Sequence, residues 1–212
     1  MSLLPPKKFI EHFIIGLNIK HLIGGFDFSF GFKGEGNMNN IHQFTNDFFT
    51  YEVVERVDWK EEKISSTRIR KCLQNGDIET TNVLLGRPHF NYGIVIEGNK
   101  RGRTIGFPTA NLKIDSTALL PKSGVYAVKV HIPGHDETLI GMANLGTNPT
   151  FTKGEVNISL EVNILDFNGD LYGQTLKIEW YKYIRNEIKF SSVESLIEQI
   201  KKDEKTIRSY FK

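Results

Sequence analysis

The spacing of hydrophobic and polar positions along the chain changes near residue 87. Before that point, apolar residues recur at helical spacing in KKFIEHFIIGL, whereas KHLIGGFDFSFG and YEVVERV are typical of strands. Two helices are predicted next, SSTRIRKCLQNG with a serine at its start and Asn-Gly at its stop, and DIETTNVLLG with Asp77 as its cap. Residues 1–86 therefore predict a partial α/β fold with too few strands for a complete parallel sheet.

From residue 87 the chain reads as short strands separated by turn signals. NYGIVIEG, SGVYAVKVHI, TLIGMANLG, NISLEVNILDF and QTLKIEWYKYI alternate in polarity or are β-branched. Five or six strands at this spacing predict a small antiparallel barrel. One amphipathic helix is predicted at the end, with Ser191 and Glu194 as a candidate capping box. Its apolar stripe contains Val193, Leu196, Ile197, Ile200 and Ile207.

Composition narrows the class of protein. The 212 residues are 39% apolar and 25% charged, with an evenly spread net charge of +2, which gives little support to nucleic-acid or membrane partners. A single cysteine, Cys72, excludes an internal disulfide framework and fits a cytoplasmic protein. The start lacks the apolar core of a signal peptide, and its abruptness leads us to expect a longer parent protein. The sequence leaves the oligomeric state open.

The segment GRTIGFPTAN combines a basic, glycine-rich run with a rigid Phe-Pro step. If residues 107–111 are extended, Thr109 and Asn111 point to one face, where their neutral oxygens suit Mg²⁺ bound to nucleotide phosphates. The backbone amides of Gly102 and Gly106, near Lys100, Arg101 and Arg103, would then hold those phosphates. A basic hairpin followed by a capping asparagine is the alternative, and spacing alone leaves both open.

Two further segments carry candidate chemistry. In NISLEVNILDF, Glu161 falls on the polar face of a predicted strand, as a general base or as an ordinary solvated residue. In ISSTRIR, hydroxyls and free amides at a helix start beside Arg68 and Arg70 form either an anion site or a simple cap.

Several motifs in a fixed order resemble the bacterial bifunctional riboflavin kinase/FAD synthetase family. They are GGFDFSFG, ISSTRIR, LLGRP, GRTIGFPTANL, SGVYAV, NLGTNPTF, LEVNILDF, DLYG and IRNEIKF, followed by a terminal helix. The resemblance covers residue 9 to the C-terminus. It implies that residues 87–212 form a riboflavin kinase domain, a six-stranded antiparallel Greek-key barrel with a C-terminal helix. It also implies that residues 1–86 are the C-terminal fragment of an FAD synthetase (nucleotidyltransferase-like) domain.

The resemblance assigns roles to individual residues. Glu161 is the implied base for the ribityl 5′-hydroxyl of riboflavin, Thr109 and Asn111 the implied Mg²⁺ and ATP pair, and Arg185 and Phe190 the implied flavin contacts. FMN and ADP would be the products, and a flavin- or nucleotide-binding regulatory fragment without turnover is the alternative. The implied ATP-binding set is Gly98, Gly102, Arg103, Gly106, Phe107, Pro108, Thr109 and Asn111. The implied remnant of the transferase site is Gly25, Asp27, Phe28, Gly31, Ser65, Ser66, Thr67 and Arg68.

Three features depart from the family's pattern. The H-x-G-H motif expected in the transferase domain does not occur in the sequence, so we expect this chain not to make FAD. Asn163 stands where the family pattern has histidine, and Asn148 where many bacterial members have arginine. Neither asparagine belongs to the implied metal pair or base, so both departures bear on rate and affinity rather than on the type of reaction.

Overall fold

The computed structural model describes residues 3–98, 101–149 and 156–212 and divides the chain into two compact units. The first unit is Met1–Ile64 and the second is Ser65–Lys212. Of the residues named above, Lys100 lies outside the described residues, and so do the side chains of Arg101 and Asn148.

The first unit contains the predicted helix and a pair of parallel strands. The predicted helix forms as an α-helical turn that continues as a π-helical turn, and β1 pairs in parallel with β4. Its small core consists of buried Ile10, Ile14, Phe30, Met38, Ile41 and Phe49. The elements are α1 (Pro6–Ile10), the π-helix Glu11–Ile15, β1 (His21–Gly25), β2 (Ser29–Phe30), the 3₁₀ turns Phe32–Gly34 and Ile41–Phe44, β3 (Gly36–Asn37), β4 (Thr50–Val54), β5 (Asp58–Trp59) and β6 (Glu62–Lys63).

Two helices open the second unit. Helix α2 (Ser66–Asn75) is capped by the Ser65 side chain and ends at Gly76, whose φ of 79° suits a glycine. Helix α3 (Ile78–Leu85) is capped by Asp77, as predicted. Buried side chains of both helices are part of the barrel core. The two compact units are therefore separated after residue 64. The sequence analysis predicted a functional boundary between residues 86 and 87.

The rest of the second unit is a closed six-stranded barrel, which confirms the predicted fold class. Neighbouring strands run antiparallel in the order β10-β11-β8-β7-β12-β9. β9, β10 and β11 follow one another as hairpins and β12 returns to pair with β9, which is a Greek key. The strands are β7 (His89–Ile96), β8 (Ala110–Ile114), β9 (Gly124–His131), β10 (Leu139–Pro149), β11 (Val156–Ile164) and β12 (Thr175–Arg185), with helix α4 (Arg101–Thr104) before β8.

Alternation along the strands separates an apolar interior from a partly polar exterior. Leu160 and Val162 of β11 are buried in the barrel core, and the fully buried Trp180 donates a 2.8 Å hydrogen bond to Asn91. Glu161, between the two core residues, therefore lies on the outer face.

The terminal helix α5 (Val193–Tyr210) packs on the outer face of the barrel. Its buried Ile207 joins an apolar cluster with Val125, Ala127 and Met142 of β9 and β10. The helix begins one residue later than predicted, because Ser192 accepts the backbone N–H of Ser195 and this pair forms the capping box instead of Ser191 and Glu194. Among the helices that the structure describes, none is long and apolar enough to span a bilayer.

Candidate active site

Strand register aligns three polar residues across the outer face of the barrel. Glu161 on β11 is the register partner of Asn111 on β8 and of Asn144 on β10. Because residues opposite each other in adjacent strands point to the same face, these three side chains form one row. The sequence predicted Asn111 and Glu161, but Asn144 emerges only from the register, since nothing in NLGTN distinguishes it from a turn residue.

Thr109 precedes β8 and reaches the same row. Its hydroxyl donates a 3.3 Å hydrogen bond to Oε2 of Glu161. The implied base and one member of the implied metal pair are therefore in direct contact, although 52 residues separate them in sequence.

The first cavity lies on the outer face beside this row and has a volume of about 330 Å³. Such a volume is at the lower end of the range for small-molecule sites. Its polar lining includes Glu161, Asn144 and Asn163 on the barrel. Its apolar lining consists of Ile105, Phe107, Val125, Met142, Ile188, Phe190, Leu196 and Ile200.

A second, larger cavity of about 880 Å³ adjoins the start of β8. It is lined by Arg103, Pro108 and the connection from β11 to β12, including Asn168 and Asp170. Thr109 lines both cavities. The two spaces therefore meet at the residue whose hydroxyl contacts Glu161.

The predicted phosphate-holding segment is partly helical. Residues Arg101–Thr104 form one helical turn, and the N–H of Phe107 closes it onto the carbonyl of Gly102 at 2.8 Å. A side chain at residue 102 would collide with the carbonyl oxygen of Phe107, because a Cβ there would lie 2.2 Å from that oxygen. Gly106 adopts a φ of 87°, which explains glycine at this turn. The segment therefore forms a hydrogen-bonded turn before β8.

Gly98 and Asn111 form a second close contact. A Cβ at residue 98 would lie 2.2 Å from Nδ2 of Asn111, so only glycine leaves the amide in its place. Neither residue lines the two cavities. In the structure, Gly102 lies beside Thr109 and Gly98 lies beside Asn111, so each implied metal ligand has a glycine next to it.

Asn163 has a structural role that accounts for an asparagine at this position. It is 7% exposed, and its Nδ2 donates a 2.7 Å hydrogen bond to the carbonyl of Pro108. This bond ties the residue before Thr109 to the strand that carries Glu161.

At the other end of the first cavity, Arg185 lies at the end of β12. Its Nε donates a 2.8 Å hydrogen bond to Oδ2 of Asp203 on α5, and its Nη2 lies 2.8 Å from the same oxygen in an ion pair. Its guanidinium lies 5.9 Å from the centre of the Phe190 ring. Arg185 and Phe190 both line the cavity, together with Asp203. The sequence pattern could not identify Asp203, because it falls among the charged positions of an amphipathic helix.

The residues implied as a transferase remnant fall in both units. In the first unit, Asp27 pairs with Lys63, and the hydrogen bond from this ammonium holds the pKa of the carboxyl below its usual value. Phe28 stacks near Phe30, with ring centres 5.9 Å apart. Gly25 ends β1, and Gly31 has a φ of 78°. In the second unit, Ser65 accepts the N–H of Arg68 at 3.3 Å as a helix cap, with Ser66 and Thr67 exposed in the first turn.

The donor atoms near the row fit a magnesium ion that is shared with a nucleotide. Thr109 offers a hydroxyl and Asn111 an amide oxygen, both neutral hard ligands. In the part of the chain that the structure describes, no group of three or more His, Cys, Asp or Glu side chains is arranged to hold a metal. A site of this kind would draw its negative charge from phosphate oxygens.

Two protein-family models match different parts of the chain. The family model for riboflavin kinase matches residues 85–211, and the family model for FAD synthetase matches residues 1–68. Proteins named bifunctional riboflavin kinase/FMN adenylyltransferase are 48% identical in Bacillus subtilis (strain 168), over 98% of this chain, and 45% identical in Listeria monocytogenes, over 99%. The chain spans 66% of the length of each.

A solved structure shares the fold almost throughout. A crystal structure from Streptococcus pneumoniae, described as a macrolide-efflux protein, superposes with a TM-score of 0.87 at 37% identity. The match covers 98% of this chain and 66% of that one. The likeness therefore extends over both units.

Proposed function

Because this chain belongs to the riboflavin kinase family, we propose that it transfers the γ-phosphate of ATP to the ribityl 5′-hydroxyl of riboflavin. The products are FMN and ADP. The observation that carries the proposal is the position of Thr109, which lines both cavities and donates to Glu161 at 3.3 Å. One cavity for each substrate and one carboxylate at their junction are what a direct transfer needs.

The first cavity takes riboflavin with its ring toward Arg185 and its ribityl chain toward Glu161. Arg185 pairs in register with Val125, Val125 with Asn144, and Asn144 with Glu161. Three strand spacings therefore separate Arg185 from Glu161, roughly 14 Å along the barrel surface. The apolar lining near Phe190 suits an aromatic ring, and the amide of Asn144 suits a hydroxyl chain.

The second cavity takes ATP, with its phosphates at the junction. Arg103 lines this space, and residues 102–107 form a hydrogen-bonded turn that contains this arginine. We assign Gly98, Gly102, Gly106, Phe107 and Pro108 to shaping that turn and the start of β8. Thr109 and Asn111 would hold Mg²⁺, which offsets charge on the phosphate oxygens when bound.

Glu161 acts as the base. The 5′-oxygen forms a bond to the γ-phosphorus as the bond to the ADP oxygen breaks, and the hydroxyl proton passes to the carboxylate of Glu161. A positioned base of this kind contributes about 10²- to 10⁴-fold to a rate. The remaining acceleration comes from holding the two substrates in line, the main requirement of phosphoryl transfer.

The proposal needs only small-molecule substrates, and we place the protein in the cytoplasm. We also propose that the 212-residue chain does not convert FMN and ATP to FAD, since its sequence contains no H-x-G-H motif. Residues 25–31 of the first unit and residues 65–68 of the second unit are then sequence remnants of that activity.

The test is incubation of the purified chain with riboflavin, ATP and Mg²⁺, followed by chromatography of the flavins and nucleotides. We expect equal amounts of FMN and ADP, and neither product when EDTA replaces the metal. Binding of riboflavin and MgADP without any FMN, at saturating substrates, would instead support a flavin-binding fragment without turnover.

A further inference from the structure

Asp203 is a buried carboxylate that the proposed mechanism does not use. We propose that it is a positioning residue, which orients Arg185 toward the riboflavin end of the first cavity. The proposal rests on the proposed kinase function, because it assigns Arg185 to flavin binding. It concerns the helix α5, which contributes no group to the phosphate junction.

Both oxygens of Asp203 are engaged. The residue is 2% exposed, and its Oδ2 accepts a 2.8 Å hydrogen bond from Nε of Arg185 and forms a 2.8 Å ion pair with Nη2. Its Oδ1 accepts a 2.8 Å hydrogen bond from Nε2 of Gln199. A charged carboxylate is buried at high cost unless it is paired and hydrogen-bonded, and this one is both. Its position is fixed further because Ile207, one turn later, is fully buried against the barrel.

In the part of the chain that the structure describes, the contacts of Arg185 leave two donors for a ligand. A guanidinium has about five N–H groups in a planar fork. The N–H of Nε is donated to Asp203, Nη2 is ion-paired with the same carboxylate, and one N–H of Nη1 is donated to the carbonyl of Asn186 at 2.9 Å. Among the described residues, no partner is present for one N–H on each terminal nitrogen, and this side chain lines the cavity. These donors suit the carbonyl oxygens of a flavin ring.

Arginine needs such a partner at this position. Its long side chain otherwise samples many rotamers, and it lies at the start of the irregular segment 186–192. Asp203 anchors it to a helix that is packed on the barrel. Removing the carboxylate would leave Arg185 present but free to turn away from the flavin.

The experiment compares Asp203→Asn with Glu204→Gln, Arg185→Gln and the Arg185→Gln/Asp203→Asn double variant. Glu204 is a matched control, because it is the next residue on α5 and bonds Arg208 at 2.8 Å without lining the cavity. Riboflavin affinity is measured by quenching of flavin fluorescence, MgADP affinity by calorimetry, and turnover by FMN formation. Thermal melts report folding of each variant.

We expect Asp203→Asn to weaken riboflavin affinity and kcat/KM by about 10- to 100-fold, the effect of misplacing a binding group by about 1 Å. MgADP affinity should match that of Glu204→Gln. In the Arg185→Gln background, Asp203→Asn should change riboflavin affinity less than about twofold, because it acts through the arginine.

Three results would overturn the proposal. Asp203→Asn could bind riboflavin as tightly as Glu204→Gln does, or it could lose riboflavin and MgADP affinity to the same extent. It could also lower riboflavin affinity by the full factor of about 10- to 100-fold in the Arg185→Gln background, where the arginine is absent. If Asp203→Asn alone does not fold, the double variant decides, since it buries no unpaired charge. Equal riboflavin affinity in the double variant and Arg185→Gln supports the proposal, and a further loss refutes it. Wild-type protein that neither binds riboflavin nor makes FMN would remove the proposed function and this inference together. Normal wild-type activity with an unaffected Asp203→Asn would remove only the inference.

Discussion

Replacing Glu161 with glutamine removes the proposed base and leaves nearly the same shape. Glu161 accepts a 3.3 Å hydrogen bond from Thr109, and the amide oxygen of glutamine can accept the same bond. The change in the free energy of unfolding should therefore stay within about 1 kcal/mol, the net worth of one such bond. Losing the base should lower kcat about 10²- to 10⁴-fold. That loss corresponds to about 3 to 5 kcal/mol of transition-state stabilisation.

The assay is steady-state FMN formation, with riboflavin and MgADP affinities measured separately. Both affinities should stay near their wild-type values, because proton transfer matters mainly in the transition state. Glu137→Gln is the matched control, since it removes an exposed glutamate of the same barrel at the turn between β9 and β10. A Glu161→Gln protein with turnover near that of Glu137→Gln would refute the base assignment and leave Glu161 as an ordinary half-buried strand residue.

The remaining predictions concern the phosphate junction and the first unit. Thr109→Val and Asn111→Ala should lower both turnover and MgADP affinity in calorimetry, because each removes a ground-state contact; unchanged affinity would count against the metal assignment. Gly98→Ala should weaken MgADP affinity while the melting temperature changes little, because its Cβ would lie 2.2 Å from Nδ2 of Asn111 and would displace this side-chain amide rather than backbone. Incubation with FMN and ATP should yield no FAD or pyrophosphate above a control without protein, and a clear excess of either would contradict the expectation for residues 1–86.

The barrel was largely predictable because its strands are marked by local signals. Alternation identified β7, β9, β10, β11 and β12, and turn residues separated them. The sixth strand, β8, was implied by the resemblance rather than by periodicity. It is five residues long and continues a Pro-Thr step, so alternation has little length in which to appear.

Residues of the candidate site were predictable only where several reactive or ligand-type side chains occur together in one short segment of the sequence. Thr109 and Glu161 stood out as residue types in context, whereas their 3.3 Å contact depends on pairing between β8 and β11. Asn163 was noted as a departure from the family pattern, but its bond to the Pro108 carbonyl needed the fold. Asp203 carries no sequence signal, because one carboxylate on a charged helix resembles any other until its burial is known.

The boundary between the two units depends on how α2 and α3 pack, which the sequence alone does not show. Capping signals at Ser65 and Asp77 correctly predicted α2 and α3. The pattern of hydrophobic and polar positions grouped these helices with the preceding segment. In the structure, however, Leu73 and Ile78 are buried in the barrel core. Apolar residues on a short helix show that a face is covered, but they do not show which neighbour covers it.

The fate of the γ-phosphate tests the central claim most directly. Purified chain is incubated with riboflavin, Mg²⁺ and ATP labelled at the γ-phosphorus, and the flavins are separated from the nucleotides. The account predicts that the label moves into FMN in a one-to-one ratio with the ADP formed, and that Glu161→Gln slows this transfer without changing its product. Label recovered only in ATP or in free phosphate, with riboflavin unchanged, would contradict it.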